Sequence, residues 1–391
     1  MRLWRFFPLL PILAVMVLAG CQKDDSDEPE PGKGELTEKP ELKAAVEKMA
    51  ADAPSVYEYL SGIEVWQEGY KPSGAWLNGT SSNTRHQMWS VTKTFTGMAI
   101  GMAVNEGKIS ISDKVAPMFS EEISLSGIAG DELERVNKLT VKDLLTMTDG
   151  HSEDAVVTAA KTYSLSLLKY LKVGHDYSED MAEVLTEVLK DIDKTIPQLF
   201  FDADFTEEPG DDFVYDTFAS CLLAEILRQR TGQDIHEYLD SRLFKPLGFG
   251  STLTWDKVQG SSAGGWGLHL TTDEMITFGR LLMDRGKWDG SQIIPSEWVS
   301  SAMSPQVNFT GDDGYSATGY GYQIWRIRDG WLCSGLFGQY IAIIPEKKAV
   351  IAITTDYPLT SSALLPLMND QGQADGTAAL SLAWKYIVPA L

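Results

Sequence analysis

Met88-Trp89-Ser90-Val91-Thr92-Lys93-Thr94-Phe95 opens a run that continues through Met98, Ile100, Met102 and Val104 to Gly107. Apolar residues fall on nearly every side of the implied helix, the mark of a helix buried in the centre of a domain. Gly107 is placed to end it as the residue just past the last turn. Ser90 then sits at the mouth of that helix, where free N–H groups and the positive end of the helix dipole face one space. Residues three apart share a helix face, so Lys93 lies beside Ser90. Burial penalises a charged amine, and a lysine stripped of water can take a proton from a neighbouring hydroxyl. The pair reads as a nucleophile with its base.

Two other serines compete for that role. Ser166-Leu167-Leu168-Lys169 repeats the Ser-x-x-Lys spacing inside a Leu-rich amphipathic segment. There it reads as a serine and a lysine on a polar helix face. Gly260-Ser261-Ser262-Ala263-Gly264 matches Gly-x-Ser-x-Gly. A nucleophile elbow must join a strand to a helix. The preceding Trp255-Asp256-Lys257-Val258-Gln259 is too polar for a buried strand, and the next helix starts only near Thr272. The motif therefore reads as a flexible glycine loop.

Strand patterns lie at the two ends of the body. One covers Ile63–Gly69, and others cover Tyr320–Ile327, Trp331–Phe337, Gln339–Ile344 and Ala349–Thr355. Turn signals at Arg328-Asp329-Gly330 and Pro345-Glu346-Lys347-Lys348 make the later group an antiparallel meander. Helical periodicity fills the middle, as in Met181, Val184, Leu185, Val188, Leu189 and Ile192. Thr271-Thr272-Asp273-Glu274 is a capping box opening a helix through Met275, Phe278 and Leu282, and Ala378–Ile387 reads as a closing helix. Sheet at both ends with helices between predicts an α/β (α+β) layered domain: an antiparallel sheet flanked by helices, with an inserted, mainly helical subdomain over about 115–255.

The 391 residues are 43% apolar and 23% charged, with a net charge of −22. That is a globular composition. The acid excess argues against nucleic-acid binding and against adsorption to anionic lipid by charge. His86, His151, His175, His236 and His269 match no metal spacing, and no phosphate-cradling glycine loop is present, so neither metal nor cofactor is expected. Once Cys21 is set aside, Cys221 and Cys333 imply no disulfide framework and read as small buried residues.

Arg2 and Arg5 precede an apolar run from Phe6 to Ala19 that is short for a membrane span and suited to a signal. It closes on Leu18-Ala19-Gly20-Cys21, which resembles a bacterial lipoprotein signal and implies lipidation of Cys21. Residues 1–21 are thus the expected signal, and acyl chains would supply the only membrane contact. Residues 22–40 hold seven acids, three Lys and three Pro, and read as a flexible tether before a domain over 41–391. Gln22-Lys23-Asp24-Asp25 resembles a signal for export to the surface of Gram-negative cells. The expectation is a monomeric outer-membrane lipoprotein of the cell envelope, exposed at the surface.

Five ordered blocks carry a further resemblance. They are Ser90-Val91-Thr92-Lys93, Leu144-Leu145-Thr146-Met147-Thr148-Asp149-Gly150, Pro209-Gly210-Asp211-Asp212-Phe213-Val214-Tyr215-Asp216-Thr217, Gly264-Gly265-Trp266-Gly267-Leu268, and Ser334-Gly335-Leu336-Phe337-Gly338-Gln339-Tyr340-Ile341. In this order the chain, from about Ile63 onward, resembles the serine β-lactamase and penicillin-binding-protein superfamily. It is nearest the class C and esterase-like branch and 6-aminohexanoate-dimer hydrolase-type enzymes. The resemblance implies Ser90 as acylated nucleophile and Lys93 as its proton partner. It implies Tyr215 as the tyrosine that passes a proton to the leaving group, with the N–H groups of Ser90 and Leu336 as the oxyanion hole.

Two positions depart from that pattern. Thr217 replaces the Asn of the Tyr-x-Asn element, and Cys333-Ser334-Gly335 replaces a Lys/His-Thr-Gly triplet; these four are the expected substrate-binding residues. Cys333 offers no fixed cation for a substrate carboxylate. An ester or amide substrate, small or peptide-like, is therefore favoured over a penicillin or a D-Ala-D-Ala peptide. A non-catalytic envelope binding protein on the same scaffold is the reading from another class. The insertion over about 152–205 borders the site and is where substrate choice should lie.

Overall fold

The computed structural model of the chain describes residues 36–163, 181–311, 314–357 and 377–391. The signal, Cys21, nearly all of the tether and the Ser166–Lys169 copy lie outside these residues.

Eight strands form one antiparallel sheet. They are β1 (Leu60–Gln67), β2 (Ser73–Trp76), β3 (Val307–Asn308), β4 (Ala317–Tyr320), β5 (Trp325–Ile327), β6 (Gly330–Gly335), β7 (Gln339–Ile344) and β8 (Ala349–Thr355). Their order is β3-β4-β5-β6-β7-β8-β1-β2. β1 closes onto the C-terminal meander, with Ile63 opposite Ile353 and Val65 opposite Ile351. The helices that position the site are α1 (Pro40–Asp52), α2 (Thr92–Asn105), α3 (Val141–Thr146), α4 (Ala155–Thr162), α5 (Met181–Asp191), α6 (Ile196–Asp202), α7 (Thr217–Thr231), α8 (Thr272–Met283) and α9 (Thr377–Tyr386). Between Ala116 and Phe244 the described residues carry helices and no strand.

The sheet is covered on both faces, which is why its central strands are apolar almost without a break. Successive side chains of a strand point to opposite faces. Tyr340, Ala342 and Ile344 of β7 therefore share a core with Leu42 and Val46 of α1 and Leu380 of α9. Ile341 and Ile343 join the opposite core, with Met275 and Phe278 of α8 and Phe95 of α2. Phe95 and Phe278 stack with ring centres 3.8 Å apart. Every residue of α2 from Thr92 to Ala103 is buried, as an all-round apolar helix requires. The capping box at Thr271 is formed, with its side chain accepting from the Glu274 N–H.

Three local expectations are corrected. Tyr320–Ile327 is not one strand but the end of β4, a turn and β5. Gln323 in that turn has φ 61° and is only 2% exposed. Its amide donates to Leu144 O (3.0 Å) and Leu145 O (3.1 Å), and its Oε1 accepts from Ser220 Oγ (2.6 Å). Its backbone carbonyl accepts from Thr94 Oγ1 at 2.8 Å. One inward-turned residue thus ties the sheet to α2, α3 and α7, and a continuous strand would point it elsewhere. Second, Ser90 lies in a 3₁₀ turn (Trp89–Val91), and the α-helix proper begins at Thr92. Third, the Gly260 loop is a small hairpin pairing Lys257–Val258 with Ser261–Ser262. Gln259 and Gly260 both have positive φ (53° and 86°), as a two-residue hairpin turn demands.

Gln323→Met keeps the volume but strands the Ser220 hydroxyl and the Leu144 carbonyl. Each buried polar group left unpaired costs about 1–3 kcal/mol. Urea unfolding should show a loss of at least about 2 kcal/mol at unchanged m-value. A loss near zero would mean that the turn does not join these elements.

Candidate active site

Ser90 is half-buried, at the turn that delivers the chain into α2. Lys93 is 1% exposed, and its Nζ donates to Ser90 Oγ at 2.8 Å and to Gly265 O at 3.0 Å. Gly265 can supply that carbonyl only because it has no side chain. A Cβ there would lie 2.9 Å from the Thr217 carbonyl oxygen, and one at Gly264 only 2.2 Å from that of Ser220. The glycine pair lets the loop press against the start of α7. The Tyr215 ring centre lies 4.9 Å from Lys93 Nζ, and the ring stacks on Trp325 at 5.5 Å. Ser90, Lys93 and Tyr215 are therefore brought together.

The end of β6 approaches the same turn. A Cβ on Gly335 would sit 2.3 Å from the Met88 carbonyl oxygen, so this close passage also requires glycine. Trp89 (φ 46°) and Phe337 (φ 63°) both hold left-handed backbone without being glycine. Such a conformation costs roughly 1–2 kcal/mol per residue and persists only where the surroundings enforce it. The two rings meet edge to face at 5.2 Å. Phe337 O is anchored by the hydroxyls of Tyr57 (2.7 Å) and Thr355 (2.6 Å). The strained residues thus directly precede Ser90 and directly follow Leu336, and they hold each other.

The four residues expected to bind substrate separate into two groups. Thr217 opens α7 and lines the cavity beside Ser90, and Ser334 is half-buried. Gly335 acts through the close approach just described. Cys333 is 1% exposed and points into the core, where burial pushes its thiol up to about 12. It does not line the cavity. Cys221 and Cys333 are both free and buried.

A buried acid–histidine cluster adjoins the site, and sequence reasoning missed it. His151 Nδ1 donates to Asp216 Oδ2 at 2.9 Å and lies 3.4 Å from Asp149 Oδ1. Asp216 also caps α7 by accepting from the Phe218 and Ala219 N–H groups (2.7 and 3.1 Å), and it accepts from Ala155 N at 3.0 Å. Asp154 accepts from Thr217 N at 3.3 Å and from Thr217 Oγ1 at 3.2 Å. Burial, opposed by His151 and reinforced by Asp216, pushes Asp149 up to about 7. Burial and the Asp216 charge push Asp154 up to about 6. Burial alone would lower His151, but the Asp149 and Asp216 carboxylates outweigh it and hold the imidazole above its ordinary value. The signal available in the sequence was the density of acids and His in Asp149-Gly150-His151-Ser152-Glu153-Asp154, at the end of the second block and just past it.

Asp149, His151 and Asp216 bring three ligand-type atoms within 4.8 Å of one another. Two of those atoms are already joined by the His151–Asp216 hydrogen bond, and Asp216 caps a helix besides. The arrangement is that of an imidazole held between two acids that share its protons. Ser262, the rival nucleophile, is 4% exposed and donates to Asp234 Oδ1 at 2.6 Å; no helix follows it until Thr272.

Ser90 and Tyr215 open onto a cavity of about 400 Å³, whose wall also includes Trp89, Thr217, Trp266 and Leu336. Leu336 is 52% exposed.

An antiparallel sheet with helices on both faces, and a Ser-x-x-Lys turn at the mouth of a buried helix, define the β-lactamase-like class of fold. The chain belongs to the beta-lactamase family, whose profile matches residues 57–365. It is 24% identical over 332 residues to 6-aminohexanoate-dimer hydrolase from Paenarthrobacter ureafaciens, covering 82% of this chain and 76% of that protein. A putative 6-aminohexanoate-dimer hydrolase from Bacillus anthracis superposes with TM-score 0.58 at 20% identity, over 82% of this chain and 79% of that one. EstCE1, described as a hydrolase with promiscuous acyltransferase activity, superposes with TM-score 0.60 at 16% identity, over 87% of this chain and 99% of that one.

The cluster has a consequence for stability. Asp149 holds its proton to about pH 7 in the fold against an ordinary 3.8, so the folded chain binds that proton more tightly and stability falls as pH rises from about 4 to 7. The raised His151 acts with the same sign: its contribution is complete below 6.5 and lost as pH rises through its higher folded value. Asp149→Asn, which mimics the protonated form, should match the parent near pH 4 and exceed it at pH 8. Thermal midpoints measured across that range check this, and parallel curves would refute it.

Proposed function

We propose that this protein is a serine hydrolase that cleaves a small ester or amide through an acyl-serine intermediate. The observation that carries the reading is Lys93 Nζ, 1% exposed and 2.8 Å from a half-buried Ser90 Oγ at the wall of a cavity. When the amine is uncharged, it can accept the hydroxyl proton across that distance while Ser90 Oγ attacks the substrate carbonyl carbon. The N–H groups of Ser90 and Leu336 serve the resulting oxyanion, and removing one such donor costs about 3–4 kcal/mol of transition-state stabilisation. Tyr215, against Lys93, relays the proton to the leaving oxygen or nitrogen as its bond to carbon breaks. Water then attacks the acyl carbon, gives its proton to the same pair, and Ser90 regains its own.

The lack of any cationic side chain among the described residues that line the cavity favours substrates that need no carboxylate recognition. The names of the similar proteins, a 6-aminohexanoate-dimer hydrolase and a hydrolase with promiscuous acyltransferase activity, support the same chemistry. Leu18-Ala19-Gly20-Cys21 supports an envelope lipoprotein anchored through lipid on Cys21. Cys21→Ser should release the protein from membrane fractions and end its labelling by a palmitate analogue.

A fluorophosphonate probe should label Ser90, read by peptide mass spectrometry. Ser90→Ala should abolish labelling and lower kcat/KM on p-nitrophenyl acetate at least about 10³-fold. Lys93→Ala should cost about 10²–10⁴-fold. Ser262→Ala should leave turnover within about twofold. Hydrolysis kept by Ser90→Ala and lost in Ser262→Ala would overturn the assignment.

A further inference from the structure

The cavity beside Ser90 has a wall that the catalytic groups do not explain. Away from Ser90, Tyr215 and Thr217 it is built by Val156 and Ala159 of α4, Val188 and Leu189 of α5, and Ile196 and Leu199 of α6. All six come from the helical insertion, and all are aliphatic. Among the described residues that line the cavity there is no Asp, Glu, Lys, Arg or His. The chain has 88 charged residues and a net charge of −22, and none of the charged residues is among those lining this wall. Val156 is 37% exposed and Leu336 52% exposed, so the apolar surface continues to the rim. Exposed apolar surface leading into a concave apolar site marks a place where a ligand is desolvated.

The hydroxyls on this wall belong to the reaction centre. A group that enters the cavity past Ser90 therefore finds polar partners at its carbonyl and only hydrocarbon beyond it. The acyl part of the substrate stays bonded to Ser90 Oγ after the leaving group has gone, so an acyl group seated against the wall keeps that contact through both halves of the reaction.

We infer that the helical insertion forms an acyl-chain pocket, and that the preferred substrate is an ester or amide whose acyl group is an uncharged, unbranched aliphatic chain. This rests on the serine hydrolase reading for its chemistry, though the pocket itself can be tested without turnover.

With p-nitrophenol held as the leaving group, kcat/KM of the full chain should rise from acetate through butyrate to hexanoate. Each CH₂ moved from water into the wall contributes roughly fourfold, more than about 10²-fold in all. A succinate half-ester, charged at the far end of its acyl group, should fall below the butyrate ester. Val156→Glu places a charge at the rim without disturbing the core, and should cut the hexanoate-to-acetate ratio at least tenfold. Val157→Glu, 43% exposed and absent from the wall, should leave that ratio unchanged. Independently, octanamide should raise the melting temperature of Ser90→Ala by several degrees, and acetamide, which has the same head and no chain, should not. Ser90-dependent acetate hydrolysis with no gain on lengthening the chain would overturn the pocket and leave the hydrolase reading intact. Absence of all turnover and labelling would overturn the hydrolase reading, and octanamide binding would then decide the pocket alone: no shift in melting temperature would overturn it.

Discussion

Lys93 carries a long polar side chain into a helix that water does not reach, and its amine has two acceptors there, Ser90 Oγ and Gly265 O. A buried polar group without partners is among the more expensive features a fold can contain, so the lysine constrains whatever surrounds it. The carbonyl must come from a loop lying against α7, and only glycine at 264 and 265 allows the loop that close. The hydroxyl must come from a turn just before α2, and that turn is held by the left-handed Trp89 against the equally strained Phe337. Sheet, central helix and inserted helices are thereby fixed relative to one amine. The Ser90 hydroxyl is one of the two groups that satisfy it, so a chain that folds with Lys93 paired has already placed the hydroxyl proposed as its nucleophile.

The acid–histidine cluster performs a second joining task. Asp216 satisfies the first N–H groups of α7, a ring nitrogen of His151 and the N–H that starts α4. Asp154, at the cap of α4, takes the N–H and hydroxyl of Thr217. A buried ion cluster of this kind contributes little net stability, because desolvation offsets attraction, and its use is to specify one arrangement over others. Here that arrangement sets α4, one wall of the cavity, against α7, which carries Thr217 and follows Tyr215. The Asn expected two residues after Tyr215 is replaced by a Thr whose hydrogen bonds run to this cluster, so the substitution is absorbed by the insertion.

The legible parts of the sequence were those where local pattern and tertiary role agree. β7 and β8 coincide with their apolar runs because both faces are buried and the flanking turns are unambiguous. The Thr271 capping box and the all-round apolar α2 were equally direct. The illegible parts are those where one residue answers to a distant partner. Gln323 breaks a promising strand because three other elements need its amide and carbonyl. Ser90 lies in a 3₁₀ turn because β6 and the Phe337 ring press on it from outside the segment. Cys333 sits on the inward side of β6, a matter of strand register that composition does not reveal. Asp149 and His151 lie within or beside a motif, but their meeting with Asp216 depends on a fold that closes 65 residues of chain between His151 and Asp216.

This division bears on what a shared fold can say about chemistry. The amine, the hydroxyl and the glycines are tied to backbone geometry, so the fold itself constrains them. The cavity wall is made of side chains on α4, α5 and α6, and none of the six aliphatic groups is needed to pair Lys93 or to cap α7. Their identities can change at the cost of packing alone, roughly 0.5–1.5 kcal/mol for a conservative swap. On the proposed function, reaction type and substrate choice are thus under separate physical control in this chain, the first by buried polar groups paired within the fold, the second by a wall that exchanges one hydrocarbon surface for another.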